Sequence, residues 1–222
     1  KSEFQFVTGK RVFIYNIDLK TSIVLPFEIY SGISNPLLFP DASGYMAHVE
    51  NGLAYGVKEI NHAITSNIDG IVIGESVHRS EFGITDGLFP SPKYRKLAYY
   101  EMDERMVTEY PLYELSDTPA TANMLRYPTS GAKSHHVVVK VKNMYDDSDP
   151  ITIKTTGDKE QYLTNISWTP DEKYLLIAIV NRAQNHMWLN KYDATSGDFI
   201  KTLFEEENDR YVEPEHPAEF LD

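Results

Sequence analysis

The segment GESVHRSEFGITDG, residues 74–87, carries the densest group of side chains that could do chemistry. His78, Arg79 and Glu81 fall within four residues of one another. Glycines bound the segment and it lacks the alternation of a strand, so we expect a loop with a short helical turn across 76–82. Binding groups concentrate on the loops of a rigid β scaffold. One interpretation is therefore that Glu81 is displayed to bind a cation, with Arg79 or His78 steering it.

An ordinary solvated loop explains the same residues. Charged side chains that are close in sequence form local ion pairs, and such exposed pairs contribute roughly 0–1 kcal/mol. The residue types alone favour this second interpretation.

Two other clusters do not predict a metal site. His135 and His136 are adjacent in a predicted strand, so their side chains point to opposite faces and are not expected to share a metal. The acidic run 146–149 precedes Pro150 and lacks the glycine and the distal glutamate of a calcium loop, so we expect a turn there. We expect neither a metal nor a cofactor.

The chain also lacks the motifs of a self-sufficient catalyst. It has no cysteine, which excludes disulfides and a thiol nucleophile. It has no G-x-S-x-G elbow, no H-E-x-x-H, no P-loop and no G-x-G-x-x-G. No catalytic residue is therefore expected in this chain.

Charge limits the possible partners. The 222 residues contain 21 Lys plus Arg against 33 Asp plus Glu, a formal net charge of −12. This balance argues against binding to nucleic acid phosphates or to an anionic membrane surface. No apolar run approaches the roughly 20 residues that a membrane-spanning helix needs.

The elements that must position the loop are strands. Residues 167–197 read SWTPDEKYLLIAIVNRAQNHMWLNKYDATSG. Turns rich in Pro, Asp and Asn separate apolar, β-type runs, which predicts strands over 174–180, 187–192 and 199–204. The acidic run 205–207 is expected to follow the last of these strands as a solvated edge.

The same unit recurs along the chain at a spacing of roughly 40–50 residues, which is typical of propeller blades. The alignment places Trp168 on Phe39 and on Pro90, each followed by a turn with Pro, Asp or Lys and then an apolar strand. A β-sandwich whose turns merely look alike is the alternative.

We therefore predict an all-β fold, a partial β-propeller of four-stranded antiparallel blades. About four blades are present, and closed propellers have about 4–8, so we expect a piece of a larger propeller. The predicted blade fragments are approximately 1–30, 32–66, 71–156 and 157–210, and the next blade starts at 211–222.

An inserted arm is predicted at 103–133. It carries Pro111, Pro119 and Pro128, which do not suit the interior of a blade. An arm of this length is either an interface element or a cover for an exposed sheet edge.

Five long stretches share one resemblance. They are SVHRSEFGI (76–84), SPKYRKLAYYEMDERMVTEYPL (91–112), RYPTSGAKSHHVVVKV (126–141), SWTPDEKYLLIAIVNRAQNHMWLNKYD (167–193) and YVEPEHPAEFL (211–221). They resemble the N-terminal β-propeller of the dipeptidyl peptidase IV family of serine peptidases, in particular its Bacteroidetes-type members. The resemblance covers nearly all of residues 37–222.

The resemblance implies an eight-bladed propeller that caps an α/β-hydrolase domain, which would lie C-terminal to this chain and hold the Ser, Asp and His triad. It implies an exopeptidase that releases dipeptides, or tripeptides in some bacterial members, from peptide N-termini after Pro or Ala. It also implies a periplasmic or extracellular location, with the signal segment outside this chain.

The resemblance further implies a role for the 76–84 loop. In the family, acidic residues on this loop bind the α-ammonium of the substrate, and Glu81 is the acidic residue carried over. Ser80 stands where dipeptidyl members often show a second Glu, so the number of residues released stays open. Ser80 and Arg79 are secondary candidates for substrate binding.

The arm matches the one that the family uses for dimer contacts. A homodimer is therefore expected in the full-length form, with contacts from Tyr110, Pro111, Tyr113 and Tyr127.

Two classes of function remain. One is the substrate-gating propeller of a serine exopeptidase, and the other is a non-catalytic propeller that binds protein or peptide. A G-W-S-Y-G-type elbow downstream, followed by Asp and His, would favour the first.

Overall fold

The computed structural model describes residues 2–221, and all of their side chains except those of Pro26 and Phe27. Within this range the helical structure is one turn of 3-10 helix, His78–Ser80. The strands are β1 (Glu3–Thr8), β2 (Arg11–Asn16), β3 (Thr21–Glu28), β4 (Ser34–Leu38), β5 (Gly44–Val49), β6 (Gly52–Val57), β7 (Ile60–Thr65), β8 (Ile71–Ile73), β9 (Leu88–Pro90), β10 (Lys96–Asp103), β11 (Glu109–Glu114), β12 (Thr121–Arg126), β13 (His136–Asn143), β14 (Ile151–Thr152), β15 (Tyr162–Trp168), β16 (Tyr174–Val180), β17 (His186–Asp193) and β18 (Phe199–Glu207).

The strands form consecutive antiparallel sheets. The first sheet is β1-β2-β3, the second is β4-β5-β6-β7 and the fourth is β15-β16-β17-β18. In the third, β10 pairs with β13, with β9 and with β8, and β14 lies at the edge. Strands β11 and β12 form a separate two-stranded hairpin, the arm. These antiparallel sheets, of which the second and the fourth are sequential four-stranded meanders, confirm the all-β, blade-type fold, while the blade boundaries stay a prediction.

A buried apolar cluster lies between each pair of consecutive sheets. Tyr45 of the second sheet packs in a cluster with Val12 of the first. Tyr55 of the second sheet shares a cluster with Tyr99 of the third, and Tyr100 shares one with Leu163 of the fourth. Strand β16 is buried on both faces, which explains why it reads as a continuous apolar run. Adjacent residues of β10 therefore pack against different neighbouring sheets.

Three turns share one geometry, and they lie between β4 and β5, between β9 and β10, and between β15 and β16. In each, the fourth residue donates its N–H to the carbonyl of the first, and its φ is positive although it is not glycine: +59° at Ala42, +54° at Tyr94 and +59° at Glu172. The second residue of each turn is proline, whose fixed φ suits that position. The turn 39–44 thus corresponds to 91–96 and to 169–174.

These turns correct the repeat alignment by one residue in the second sheet. Phe39, at the start of its turn, corresponds to Ser91 and Thr169, so the partner of Trp168 is Leu38 and not Phe39. The alignment with Pro90 is correct, since Pro90 and Trp168 hold the same place before the turn. The alignment paired Phe39 with Trp168 because both are buried aromatic residues. The Phe39 ring stacks on Tyr94, with 4.6 Å between ring centroids.

The acidic run 205–207 was placed wrongly, since it lies inside β18 and does not follow it. Its pairing with β17 explains the difference. Glu205 lies opposite Trp188 and accepts hydrogen bonds from the Trp188 indole, at 3.1 Å, and from His186, at 2.6 Å. Pairing with β17 therefore extends β18 beyond the predicted apolar segment 199–204.

Candidate functional site

One buried histidine lies beside both ends of the loop 74–87, which joins β8 to β9. His48, on β5 of the preceding sheet, is 9 % exposed. Its Nε2 lies 3.2 Å from Asp86 Oδ1 and its Nδ1 lies 3.6 Å from Glu75 Oε1. The start and the end of the loop are thus brought together beside a single side chain.

The tip of the loop is a left-handed turn. His78, Arg79 and Ser80 have φ of +53°, +57° and +60°, and Phe82 has +56°. The turn is closed by hydrogen bonds from Ser80 N–H to Val77 O, at 3.0 Å, and from Glu81 N–H to His78 O. Left-handed backbone costs a non-glycine residue roughly 1–2 kcal/mol. Strain of this kind clusters at functional sites.

Gly83 allows a later segment of the chain to cover the loop. Its φ is +73°, and a Cβ at this position would lie 2.0 Å from the carbonyl oxygen of Glu215. The neighbouring Phe82 carbonyl accepts the Thr164 hydroxyl at 3.0 Å, and the Pro214 carbonyl accepts the side-chain amide of Asn165 at 2.6 Å. The fourth sheet and the segment after it therefore support the loop from outside.

His78 anchors the turn in the interior. The backbone N–H of Leu163 donates to His78 Nε2 at 3.2 Å, so the proton of the neutral ring is on Nδ1. That Nδ1–H donates to His135 Nε2 at 3.0 Å. Burial lowers the pKa of His78 well below its usual value, and His135 and Arg182 add to the effect. Burial, with the charges of Arg79 and Arg182, lowers the pKa of His135 to about 4.

The histidine pair predicts a stability that falls with acid. The unfolded chain protonates these imidazoles near pH 6.5, and folded His135 does so only near its pKa of about 4. The stabilisation is therefore fully present above pH 6.5 and is lost as the pH falls from 6.5 towards 4. Each imidazole contributes a slope of at most about 1.4 kcal/mol per pH unit. Urea unfolding between pH 7.5 and about 4.5 measures this slope.

Two variants make this test specific. His135→Gln can still accept the His78 proton but cannot titrate, so its slope should be shallower than that of the unchanged protein. His216→Gln replaces an exposed histidine and should leave the slope unchanged. Equal slopes in all three proteins would contradict the assignment.

The Glu81 carboxylate contacts the fourth sheet through the neutral side chain of Gln184. Its side chain is exposed, and Oε2 accepts a hydrogen bond from Gln184 Nε2 at 3.0 Å. The same amide nitrogen donates to the Tyr162 hydroxyl, also at 3.0 Å, and Arg182 donates to that hydroxyl as well. The carboxylate is therefore oriented by a residue 103 positions away.

Arg79 and Ser80 do not share that environment. Arg79 Nη2 donates to the Arg126 carbonyl at 2.7 Å, and its guanidinium carbon lies 4.4 Å from the centre of the Tyr127 ring. Ser80 Oγ lies 3.5 Å from Ser76 Oγ. The structure thus places the three predicted residues on one turn, with Glu81 directed to the fourth sheet and Arg79 to the arm.

The arm displays the predicted aromatic residues. Tyr110 is 53 % exposed, Tyr113 64 % and Tyr127 44 %, and Pro111 is partly buried. Tyr110 and Tyr127 are neighbours, with ring centroids 6.4 Å apart.

A cleft separates the loop from the base of the arm, and sequence reasoning missed its carboxylate, Glu104. Burial raises the pKa of Glu104, and the charge of Arg126, whose Nη1 lies 3.8 Å away, opposes this shift. The residues lining the cleft include Ser76, His78, Arg79, Glu104, Arg126 and His135. The sequence analysis also did not single out Gln184, Tyr162 or His48. Gln184 lies in the polar turn between the predicted strands 174–180 and 187–192, where nothing in the sequence indicated a role in the site.

The described residues form no group of three or more His, Asp or Glu side chains that could hold a metal ion. Between residues 2 and 221 there is also no helix that is long and apolar enough to cross a membrane.

Comparison with known proteins identifies the family. The family described as "Dipeptidyl peptidase IV (DPP IV) N-terminal region" matches residues 45–222. A crystal structure of a candidate dipeptidyl aminopeptidase IV from Bacteroides ovatus is 37 % identical over 98 % of this chain, with a TM-score of 0.86. Porphyromonas gingivalis dipeptidyl peptidase 4 shares the fold, with a TM-score of 0.75 and 21 % identity over 95 % of this chain.

The chain spans 30 % and 31 % of the lengths of those two proteins. The family match and the blade-type sheets agree over most of the sequence, and the chain therefore belongs to the family of dipeptidyl peptidase IV N-terminal regions.

Proposed function

We propose that this chain is the substrate-gating propeller of a serine exopeptidase that releases di- or tripeptides from peptide N-termini after Pro or Ala. In this proposal Glu81 binds the α-ammonium of the substrate. The observation that carries it is an exposed carboxylate on a strained turn, oriented by the neutral amide of Gln184. Within residues 2–221 no ion pair engages Glu81, so its charge is available to a cationic ligand.

Ser80 and Arg79 take lesser parts. The Ser80 hydroxyl is exposed one residue before Glu81 and can add a neutral contact to the substrate. The Arg79 guanidinium is already engaged by the arm, so it supports the site and does not bind substrate. A single carboxylate leaves both dipeptide and tripeptide release open.

The catalytic groups belong to a C-terminal α/β-hydrolase domain outside this chain. The absence of a nucleophile elbow in the sequence and the greater length of both relatives support this division. The blade fragments predicted above would make up about half of an eight-bladed ring. A periplasmic or cell-surface location fits the proposed peptide substrate.

The arm is the proposed dimer contact of the full-length protein. Three exposed tyrosines near a partly buried proline form a surface of the type enriched at protein interfaces. A second copy of the chain is the proposed partner, through Tyr110, Pro111, Tyr113 and Tyr127.

Peptide hydrolysis tests the proposal. The full-length protein should hydrolyse Gly-Pro and Ala-Pro chromogenic substrates and should lose most of that activity when their amino terminus is acetylated. The 222-residue chain alone should give no turnover. A full-length protein with no activity on any proline substrate would favour a non-catalytic peptide-binding propeller. Equal activity on free and acetylated substrates would remove the ammonium site.

A further inference from the structure

The side chain of Arg79 leaves its own loop and contacts the base of the arm twice. Its Nη2 donates to the backbone carbonyl of Arg126 at 2.7 Å. Its guanidinium carbon lies 4.4 Å from the centre of the Tyr127 ring. A hydrogen bond and a cation–π contact of this kind fix both the position and the plane of the guanidinium. The contact joins residues 47 positions apart.

The base of the arm is itself attached to the turn that precedes β8 of the third sheet. Arg126 forms two hydrogen bonds to Asp69, at 3.1 Å from Nη1 and 2.5 Å from Nη2. Tyr127 N–H donates to the Thr108 carbonyl at 3.0 Å, which closes the hairpin. Beyond this base, the hairpin residues 112–125 are exposed. A change in the arm therefore reaches the rest of the protein through its base.

The backbone around Arg79 has little freedom to absorb a movement. On one side His78 is held in the interior by Leu163 and His135. On the other side the Glu81 N–H bonds to the His78 carbonyl at 3.1 Å, so Arg79 and Glu81 belong to one closed turn. The side chain of Arg79 and the carboxylate of Glu81 leave this turn towards different sheets.

We propose that Arg79 is a positioning residue that couples the arm to the loop 74–87, so that the packing of the arm base sets the position of the Glu81 carboxylate. The coupling itself is a property of the fold. Its effect on substrate rests on the proposed function, in which Glu81 binds the α-ammonium.

Hydrogen exchange in the full-length protein tests the coupling. Arg79→Lys keeps the charge but loses the planar fork that serves both contacts. Amide protection in 74–87 and in 109–126 should fall together, by about tenfold, the scale of one hydrogen bond plus one cation–π contact. Arg105→Lys is the matched control, because Arg105 stands near the same base and bonds only to Asp103 among its described partners. It should leave both segments unchanged.

A double-mutant cycle shows whether the two contacting residues act as a pair. Tyr127→Leu removes the ring from the arm side and should also lower protection in 74–87, although it lies outside that loop. The double variant Arg79→Lys with Tyr127→Leu should be no worse than the more damaging single variant. Additive effects, or faster exchange in the arm alone, would overturn the coupling.

Kinetics separates this inference from the proposed function. If both hold, Arg79→Lys should raise KM for peptides with a free amino terminus several-fold and leave kcat nearly unchanged. If exchange increases in both segments while KM stays constant, the coupling stands and the role of Glu81 fails. If KM rises without a change in exchange of the arm, the coupling fails and the role of Glu81 stands.

Discussion

Replacing Glu81 by glutamine in the full-length protein should lower kcat/KM for peptides with a free amino terminus by about ten- to a hundredfold. A hydrogen bond to a charged group contributes about 1.5–3 kcal/mol, and each 1.4 kcal/mol is about tenfold in affinity. Glutamine keeps the shape of the side chain, and its carbonyl oxygen can still accept the Gln184 amide at the 3.0 Å distance seen for Glu81. The variant therefore removes the charge with little effect on the turn.

Steady-state kinetics with free and acetylated forms of one substrate measures this effect. The loss should be largest for the free form and should appear mainly in KM, because the ammonium is bound in the ground state and in the transition state alike. Glu59→Gln is the matched control, since Glu59 is exposed in the second sheet, in the turn before β7. Equal kcat/KM for the unchanged protein and Glu81→Gln would exclude Glu81 from the site.

Replacing Tyr100 by alanine should lower the free energy of unfolding by about 3–5 kcal/mol, the usual cost of truncating a buried large aromatic residue. Tyr100 is 1 % exposed and packs between the third and fourth sheets, with its ring 5.1 Å from that of Phe89. Its hydroxyl donates to the Leu163 carbonyl at 2.7 Å. Burial raises the pKa of this hydroxyl, so it stays a proton donor at neutral pH.

Urea unfolding of Tyr100→Ala, Tyr100→Phe and Tyr211→Ala measures this effect. Tyr100→Phe keeps the ring and leaves one buried carbonyl without its donor, so the expected cost is about 1–3 kcal/mol. Tyr211→Ala is the matched control, because Tyr211 is 59 % exposed, lies outside the arm, and its loss should change stability by about 0.5 kcal/mol or less. A Tyr100→Ala variant no less stable than Tyr211→Ala would contradict the inter-sheet packing.

The strands and turns of this protein could be predicted because their signals are local. The run 174–180 lies in a strand buried on both faces, and proline marks each of the three related turns. The repeat alignment was wrong at Phe39 because Phe39 is a buried aromatic residue, as Trp168 is, but lies one position later in its copy of the repeat.

The geometry of the candidate site could be predicted only in part. A short helical turn was expected near Glu81 and is present, but its left-handed backbone was not expected. Neither His78 nor Arg79 is glycine, so the residue types did not predict a positive φ. The partners of Glu81 and Arg79 lie 103 and 47 positions away, and a single sequence carries no signal for contacts of that range.

The support that Gly83 receives from Glu215 has a consequence for protein engineering. Residues 74–87 depend on Gln184, on Asn165 with Pro214, and on a backbone oxygen that leaves no room for a methyl group at position 83. On a foreign scaffold the loop sequence would lack these supporting contacts, and the turn would relax. A graft that is to keep the orientation of Glu81 must include the whole of the fourth sheet and the segment that follows it.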